Sequence, residues 1–117
     1  RGYIDAYQAF LKSNSMLDTI EIEKTLYQPS MGYCGKLDRV YKNRKNDQIY
    51  IVDIKTGVPL RCHQLQCTAY AIAYKNKNAK VAGLHLFDDG RYKFKQYKRQ
   101  DTLWRSIMRV YNYKERR

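Results

Sequence analysis

Residues 49 to 55 constrain the fold of this chain more than any other stretch, because they combine an apolar core segment with two charged side chains. The run reads IYIVDIK and is closed by Thr56-Gly57-Val58-Pro59. It is too short for an independent helix, so it predicts a buried strand. On a strand, Asp53 and Lys55 project from one face. Burying such a pair is costly unless each member has a partner, and a metal ion is the obvious one.

Hydrophobic periodicity predicts three helices and five strands. In order, they are a helix ending at residues 13–15, strands at 18–27, 32–42 and 48–55, a helix from near Pro59 to about Tyr74, strands at 81–87 and 91–97, and a helix from Asp101 to about Tyr113. The order αβββαββα predicts an α/β sandwich around a mixed sheet. We expect residues 1–117 to form one domain, and the absence of an initiator Met suggests a fragment of a longer chain.

An apolar face is predicted on three elements, and the stripe on the first helix needs another element to pack on. These faces are Tyr3, Tyr7, Phe10 and Leu11 on the first helix, Ile20, Ile22 and Leu26 on the first strand, and Leu103, Trp104, Ile107, Met108 and Tyr111 on the last helix. Asp101 is expected to cap that last helix. On the second strand, Gly35 permits a bend or a close backbone approach just before Asp38.

The charge balance favours a polyanionic partner, because 23 Lys and Arg residues stand against 11 Asp and Glu residues. Residues 91–117 contribute ten of these cations and two of the acids. On the fifth strand Arg91, Lys93 and Lys95 alternate with Tyr92 and Phe94, which predicts one basic and one aromatic face. These cations are either phosphate contacts, with salt dependence as their signature, or merely a soluble surface.

No apolar run approaches the roughly twenty residues needed to cross a bilayer, and no signal-peptide pattern opens the chain. We therefore expect a soluble, intracellular protein without a membrane partner. Cys34, Cys62 and Cys67 lack a zinc-binding spacing, so reduced thiols are expected.

The central motifs resemble those of the PD-(D/E)XK nuclease superfamily, and most closely its RecB-like exonuclease branch. That pattern places a glutamate before G-x-x-D, then a hydrophobic strand ending in D/E-x-K, then a helix with Q-x-x-x-Y. The corresponding residues here are Glu23, Gly35 to Asp38, Asp53 to Lys55, and Gln66 to Tyr70. The resemblance covers about residues 3–87 and depends on the whole constellation, since D-x-K alone is common.

The resemblance implies a restriction-endonuclease-like three-layer sandwich that cleaves phosphodiester bonds with Mg²⁺ or Mn²⁺. The implied metal ligands are Glu23, Asp38, Asp53 and the Ile54 carbonyl. Lys55 would orient or deprotonate the attacking water, and Gln66 and Tyr70 would contact the DNA. The implied site is therefore catalytic at Asp38, Asp53, Lys55, Gln66 and Tyr70. The charge pattern of the fifth strand adds Arg91, Lys93 and Lys95 as candidates for nucleic-acid binding. No iron–sulfur cluster is expected, because no cysteine follows Cys67.

Plainer interpretations exist for each residue. Asp53 and Lys55 would be an exposed ion pair worth under about 1 kcal/mol if the strand lay on the surface. Glu21 competes with Glu23 for the ligand position, and Gln66 with Tyr70 would otherwise be a helix-surface pair. His63 and His85 are expected to be structural or solvated, with His63 bordering the site.

Many RecB-like nucleases carry an upstream metal-binding histidine, whereas both histidines here follow Asp38. The missing ligand, and the family's clamp over single-stranded DNA, would have to come from sequence outside this chain or from another subunit. We expect a DNA exonuclease acting on single-stranded ends, in recombination, repair or phage replication in a bacterial or phage-infected cell. The alternatives are an inactive nucleic-acid-binding domain of the same fold and a structure-selective endonuclease.

Overall fold

A computed structural model describes residues 1–58 and 61–115 of the chain. Its elements are α1 (Gly2–Ser13), β1 (Leu17–Gln28), β2 (Tyr33–Asn43), β3 (Ile49–Thr56), α2 (Arg61–Ala73), β4 (Lys80–Leu86), β5 (Tyr92–Tyr97) and α3 (Asp101–Glu115). The predicted order of helices and strands is confirmed, with small shifts at the ends of the elements. The expected position of Pro59 at the start of α2 lies outside the described residues.

The five strands form one mixed sheet in the order β1-β2-β3-β4-β5. Neighbouring strands are antiparallel except β3 and β4, which are parallel and are connected by a crossover through α2. Helix α1 packs on one face of this sheet, whereas α2, with α3 beside it, covers the other. The predicted three-layer α/β sandwich is therefore confirmed.

Side-chain alternation on the central strands fills both layers of the core. On the α2 face, Ile51 and Val81 pack with Cys67 and Ala71. On the α1 face, Val52, Ala82 and Leu84 surround Phe10, together with Ala6 and Tyr41. Such two-sided burial is typical of strands covered by helices on both faces.

Strand β5 has the two different faces that its alternating residues predicted. The ring of Phe94 stacks on Phe10 with centroids 5.2 Å apart, and Tyr92 meets Phe10 edge-on at 5.6 Å. Lys93 and Lys95 are exposed on the opposite face. The aromatic face of β5 therefore anchors α1, and its basic face stays open to solvent.

The single apolar face predicted for β1 is wrong. Ile20 and Ile22 are 44% and 60% exposed, and only Leu26 of the three is buried. The pairing register with β2 shifts between Thr19 and Glu21, and Glu23 has a φ of 51°. A bulge followed by a left-handed residue breaks the two-residue alternation, so the side chains of β1 do not keep one face throughout.

The helical stripes are also only partly buried. In α1 the buried residues are Ala6 and Phe10, while Tyr3 and Leu11 are exposed. In α3, Met108 is buried and Trp104 half-buried, while the other residues of the predicted stripe are exposed, namely Leu103, Ile107 and Tyr111. Within the described ranges, no helix has both the length and the apolar character needed to cross a membrane.

Arg99 fixes the start of α3 to the rest of the fold. Its guanidinium donates to the carbonyls of Asn76 and Ala79 at 2.7 and 3.1 Å, and to both carboxylate oxygens of Asp101 at 2.9 and 2.7 Å. Asp101 is the first residue of α3, and its carboxylate binds Arg99 instead of acting as the predicted cap. The backbone N–H of Gln100 donates to Thr68 Oγ1 at 3.0 Å, which connects the same segment to α2.

We predict that Arg99→Met lowers the free energy of unfolding by about 2 to 3 kcal/mol, because it leaves two carbonyls and a carboxylate without their donor. The Arg99 side chain is only 16% exposed, so water cannot readily replace it. Urea denaturation would measure the change. The matched control is Arg91→Met, since Arg91 pairs with Asp89 at the surface with its side chain 81% exposed. Equal stability of the Arg99 variant and the parent protein would contradict this role.

Candidate active site

The candidate site lies where strands β2 and β3 separate. The two strands pair between Arg39–Val52 and Lys42–Ile49, and beyond Val52 strand β3 continues to pair with β4. The separation frees the amide of Ile54 on its β2 side. Asp38 satisfies it, because Ile54 N–H donates to Asp38 Oδ2 at 2.7 Å. The carboxylate therefore replaces a lost backbone acceptor and is held at the point of separation.

Asp53 lies beside Asp38 and is almost completely buried, with its side chain 5% exposed. Burial and the neighbouring Asp38 carboxylate raise the pKa of Asp53 to about 6. Its Oδ2 atom lies 3.1 Å from Lys55 Nζ, yet it accepts no aligned hydrogen bond from the described residues. A buried carboxylate beside a second carboxylate is costly in a finished core and is typical of a functional site.

Lys55 shares the face of Asp53 and remains partly accessible, with its side chain 32% exposed. Burial alone would lower the pKa of Lys55, but the Asp53 carboxylate outweighs burial and the pKa is raised. Lys55 is therefore a cation at neutral pH in this structure. A lysine that keeps its proton can orient a water molecule or neutralise a negative charge, but it is poorly suited to remove a proton from water.

Gln66 and Tyr70 of α2 close the site on its helical side. Gln66 Nε2 donates to Tyr70 Oη at 3.1 Å. Burial raises the pKa of the Tyr70 hydroxyl, and the charges of Asp53, Lys55 and Asp38 all act on it. The Tyr70 ring lies against Gly35, where a Cβ atom would be 2.8 Å from Cε1. The close approach expected at Gly35 is therefore confirmed, and the partner is the Tyr70 ring.

His85 supports the loop after Lys55 and was not recognised as important from sequence. It is fully buried, with Nδ1 3.1 Å from the Gly57 carbonyl and Nε2 2.8 Å from the Tyr97 hydroxyl. Since a carbonyl only accepts, Nδ1 carries the proton of the neutral ring. Gly83 leaves room for the pair, as a Cβ there would lie 2.6 Å from His85 Nε2. The expectation of a structural role is confirmed for His85.

His63 lies next to His85. Its ring centroid lies 5.4 Å from that of His85. Burial lowers the pKa of His63, and the positive charge of Lys55 lowers it further. The two imidazoles therefore lie next to each other on the lysine side of the site.

The structure does not bring Glu23 to the two aspartates. The Glu23 side chain is 65% exposed and lies 3.8 Å from Lys36 Nζ. Its left-handed backbone turns it away from the sheet face that regular alternation would have given it. Glu21 is occupied elsewhere, because Tyr74 and Lys24 bind it and lower its pKa.

The basic residues of β5 are aligned with the site across the sheet. Asp53 lies opposite Gly83 and Lys55 opposite His85 on β4, and these in turn lie opposite Lys95 and Lys93 on β5. Residues directly opposite on neighbouring strands share a face, so both lysines extend the face that carries Asp53 and Lys55. Arg91 precedes β5 and binds Asp89 at 2.6 Å, so it is engaged within its own turn.

Two carboxylates, Asp38 and Asp53, are available to a divalent cation. In the described part of the chain, no three His, Cys, Asp or Glu side chains converge on a common metal position. Mg²⁺ needs only one or two carboxylates and retains several waters. The donor set and the unsatisfied Asp53 Oδ2 therefore fit a hydrated Mg²⁺ or Mn²⁺ ion, but not a closed, all-protein cage.

No family model and no curated protein matches this sequence. Among solved structures, the crystal structure of SSO0001 is similar at 19% identity with a TM-score of 0.49. The match covers 88% of this chain and 53% of SSO0001, so the chain spans about half the length of that protein.

We predict that Gly35→Ala destabilises the protein by about 1 to 3 kcal/mol, because the new methyl group overlaps the Tyr70 ring. In a Tyr70→Ala background the same substitution should cost much less, since the overlapping ring is gone. A double-mutant cycle by urea denaturation measures this coupling. Additive effects of the two substitutions would show that Gly35 and Tyr70 do not interact.

We predict that His85 makes the protein less stable as the pH falls below about 6.5. Burial lowers the pKa of His85 in the fold, although the hydrogen bond with the Gly57 carbonyl raises it. The positive charges of Lys93 and Lys55, and that of His63 when it is protonated, lower it further. The unfolded chain then binds the proton more readily, so this stability is present above the unfolded pKa and lost below it.

Urea denaturation at pH 7.5 and 5.5 tests this effect in the parent protein and in His85→Gln. The variant should lose part of the pH dependence, whatever its absolute stability. Asp53 acts in the opposite direction, since its raised pKa favours folding at lower pH, so the informative quantity is the difference between the two proteins. If the free energy of unfolding changes equally between pH 7.5 and 5.5 in the parent protein and in His85→Gln, His85 is not a neutral, buried side chain.

Proposed function

We propose that this chain is a metal-dependent deoxyribonuclease that hydrolyses phosphodiester bonds at single-stranded DNA ends. The observation that carries the proposal is the buried Asp53 carboxylate, which lies against Asp38 and Lys55 where β2 and β3 separate. The carboxylate of a surface ion pair would be exposed to solvent, whereas the Asp53 side chain is only 5% exposed. Such a cluster is costly for folding and is typical of functional sites.

A divalent cation, bound by Asp38 and Asp53 with the Ile54 carbonyl as a further candidate ligand, would supply Lewis-acid activation of water and charge neutralisation at phosphate. Lys55 holds its positive charge beside Asp53 and, through its exposed ammonium, neutralises a phosphate oxygen or orients water. Tyr70 offers its hydroxyl to a phosphate oxygen, and Gln66 fixes that hydroxyl in place. The Asp38–Ile54 hydrogen bond keeps the two carboxylates adjacent before substrate arrives.

Nucleic acid is the proposed partner because the face that carries Asp53 and Lys55 continues to Lys93 and Lys95. Each phosphate bound by a cation displaces a counterion, so the affinity should fall steeply with salt. Arg91 contributes less, since Asp89 already neutralises it. The proposed setting is recombination, repair or phage replication in the cytoplasm of a bacterial or phage-infected cell. A further subunit would supply any clamp over the strand.

A second candidate is a nucleic-acid-binding domain of the same fold without turnover. The observation in its favour is the exposed Glu23, since the described residues supply only two acidic ligands. It requires the same basic face but no metal-dependent chemistry. A structure-selective endonuclease is the third outcome that the same assay detects.

We predict that the chain degrades end-labelled linear single-stranded DNA in Mg²⁺ or Mn²⁺ and leaves circular single strands intact. Asp38→Asn, Asp53→Asn and Lys55→Met should each reduce the rate at least about 100-fold, because each removes a ligand or a charge at the reacting phosphate. The matched control is Asp47→Asn. Asp47 lies in an exposed turn with a φ of 60°, which Asn tolerates, and it pairs with Lys42 at the surface.

Gel analysis of the products distinguishes the candidates. Cleavage of circles would support the endonuclease, and salt-sensitive binding without metal-dependent cleavage would support the binding domain. Equal rates for Asp53→Asn and Asp47→Asn would show that the carboxylate pair is not the catalytic site.

A further inference from the structure

We propose that the groove beside α2 binds an unstacked nucleobase of the strand whose phosphate lies at the carboxylate pair. The groove has a volume of about 510 Å³ and is lined by α2, the start of β2 and the first turn of α3. This size is in the range of small-molecule sites. The inference rests on the proposed function and adds the base-binding surface and its residues.

One face of α2 forms the floor of the groove. Its lining residues are spaced at i, i+3, i+4, i+7 and i+8, namely Cys62, Leu65, Gln66, Ala69 and Tyr70. A stripe with this spacing normally packs against another element. Here part of the stripe packs on β2, since the Tyr70 ring lies on Gly35 and the Ala69 carbonyl binds the Tyr33 hydroxyl. The remaining surface of the stripe lines the groove between the start of β2 and the first turn of α3.

Two aromatic side chains, Tyr33 and Trp104, form a wall of the groove beside α2. The rings of Tyr33 and Trp104 meet edge to face, with centroids 5.4 Å apart and an interplanar angle of 85°. Tyr33 is held in place, because its hydroxyl donates to the Ala69 carbonyl at 2.7 Å. Both side chains are half-buried and line the groove. A rigid aromatic wall gives a base a stacking surface without selecting one base over another.

The groove is continuous with the candidate active site. Gln66 and Tyr70 belong to both, and the charges of Asp53, Lys55 and Asp38 act on the Tyr70 hydroxyl. A nucleotide with its phosphate near Lys55 therefore has its neighbouring base within reach of the groove.

Cations lie at both ends of this apolar surface. Lys55 is at the active-site end, and the exposed Arg105 lies near Tyr33, where its charge partly offsets the rise that burial causes in the pKa of the hydroxyl. Phosphates at the ends with a base between them match a single strand. A duplex keeps its bases paired and stacked, so it cannot fill the groove without opening.

The single tryptophan of the chain, Trp104, reports on the groove directly. In EDTA, so that no strand is cut, a thymidine oligonucleotide of about ten nucleotides should quench Trp104 fluorescence. The control is an abasic oligomer with the same number of phosphates, which should bind through charge alone and quench little. Blunt duplex of the same length should also quench little. Equal quenching by thymidine and abasic oligomers would overturn the proposal.

Thiol labelling gives a second readout that needs no variant. Cys34 and Cys62 line the groove and are exposed, whereas Cys67 is buried and burial raises its pKa to about 12. The thymidine oligonucleotide should slow maleimide labelling of Cys34 and Cys62 at least about fivefold, and the abasic oligomer should not. Unchanged labelling in the presence of bound thymidine oligonucleotide would place the bases elsewhere.

The matched variants are Trp104→Leu and Tyr113→Leu, both in α3, with Tyr113 79% exposed and outside the groove. Trp104→Leu should weaken binding of the thymidine oligonucleotide by about 5- to 100-fold, the value of one stacked base, and leave abasic binding unchanged. Tyr113→Leu should change neither. If Trp104→Leu weakens both ligands equally, the groove is not a base site. All these arms measure binding, so loss of the proposed nuclease activity alone would leave their outcome unaffected.

Discussion

The hydrogen bond from Ile54 N–H to Asp38 Oδ2 is the contact on which the functional end of the molecule depends. Two antiparallel strands cannot separate inside a sandwich without leaving backbone groups unpaired. Asp38 provides the replacement acceptor, so the Ile54 amide keeps a hydrogen bond although β2 diverges from β3 there. The same bond brings the Asp38 carboxylate next to the buried Asp53. Burial and this neighbouring carboxylate together raise the pKa of Asp53.

Two close contacts with glycine hold the flanks of Asp53. On one side the Tyr70 ring lies on Gly35, and on the other the His85–Tyr97 pair lies over Gly83. Each glycine removes a methyl group that would displace an aromatic or imidazole ring. Close packing therefore fixes the positions of the Tyr70 ring and the His85 imidazole on the two sides of Asp53.

The sequence predicted what depends on local periodicity. Alternation within IYIVDIK placed Asp53 and Lys55 on one face, and helical spacing placed Gln66 near Tyr70; both are features of a single element. Glu23 was misplaced because a bulge and a left-handed residue in β1 are not encoded by alternation. Arg99 and His85 bind carbonyls from distant segments, so their roles depend on how elements pack together. The groove beside α2 depends on how β2, α2 and α3 come together, which no local pattern specifies.

The irregular backbone of β1 also determines how the sheet ends. Strands β1 and β5 form its two edges, and an exposed edge is a template for unwanted pairing with another chain. On β5, Lys93 and Lys95 place like charges along the edge. On β1, the register shift and the left-handed Glu23 interrupt the outer row of amides and carbonyls into short pieces, although Ile20 and Ile22 remain exposed there. The irregularity that moves Glu23 away from Asp38 and Asp53 therefore also leaves β1 with fewer consecutive backbone groups that a strand of another chain could pair with.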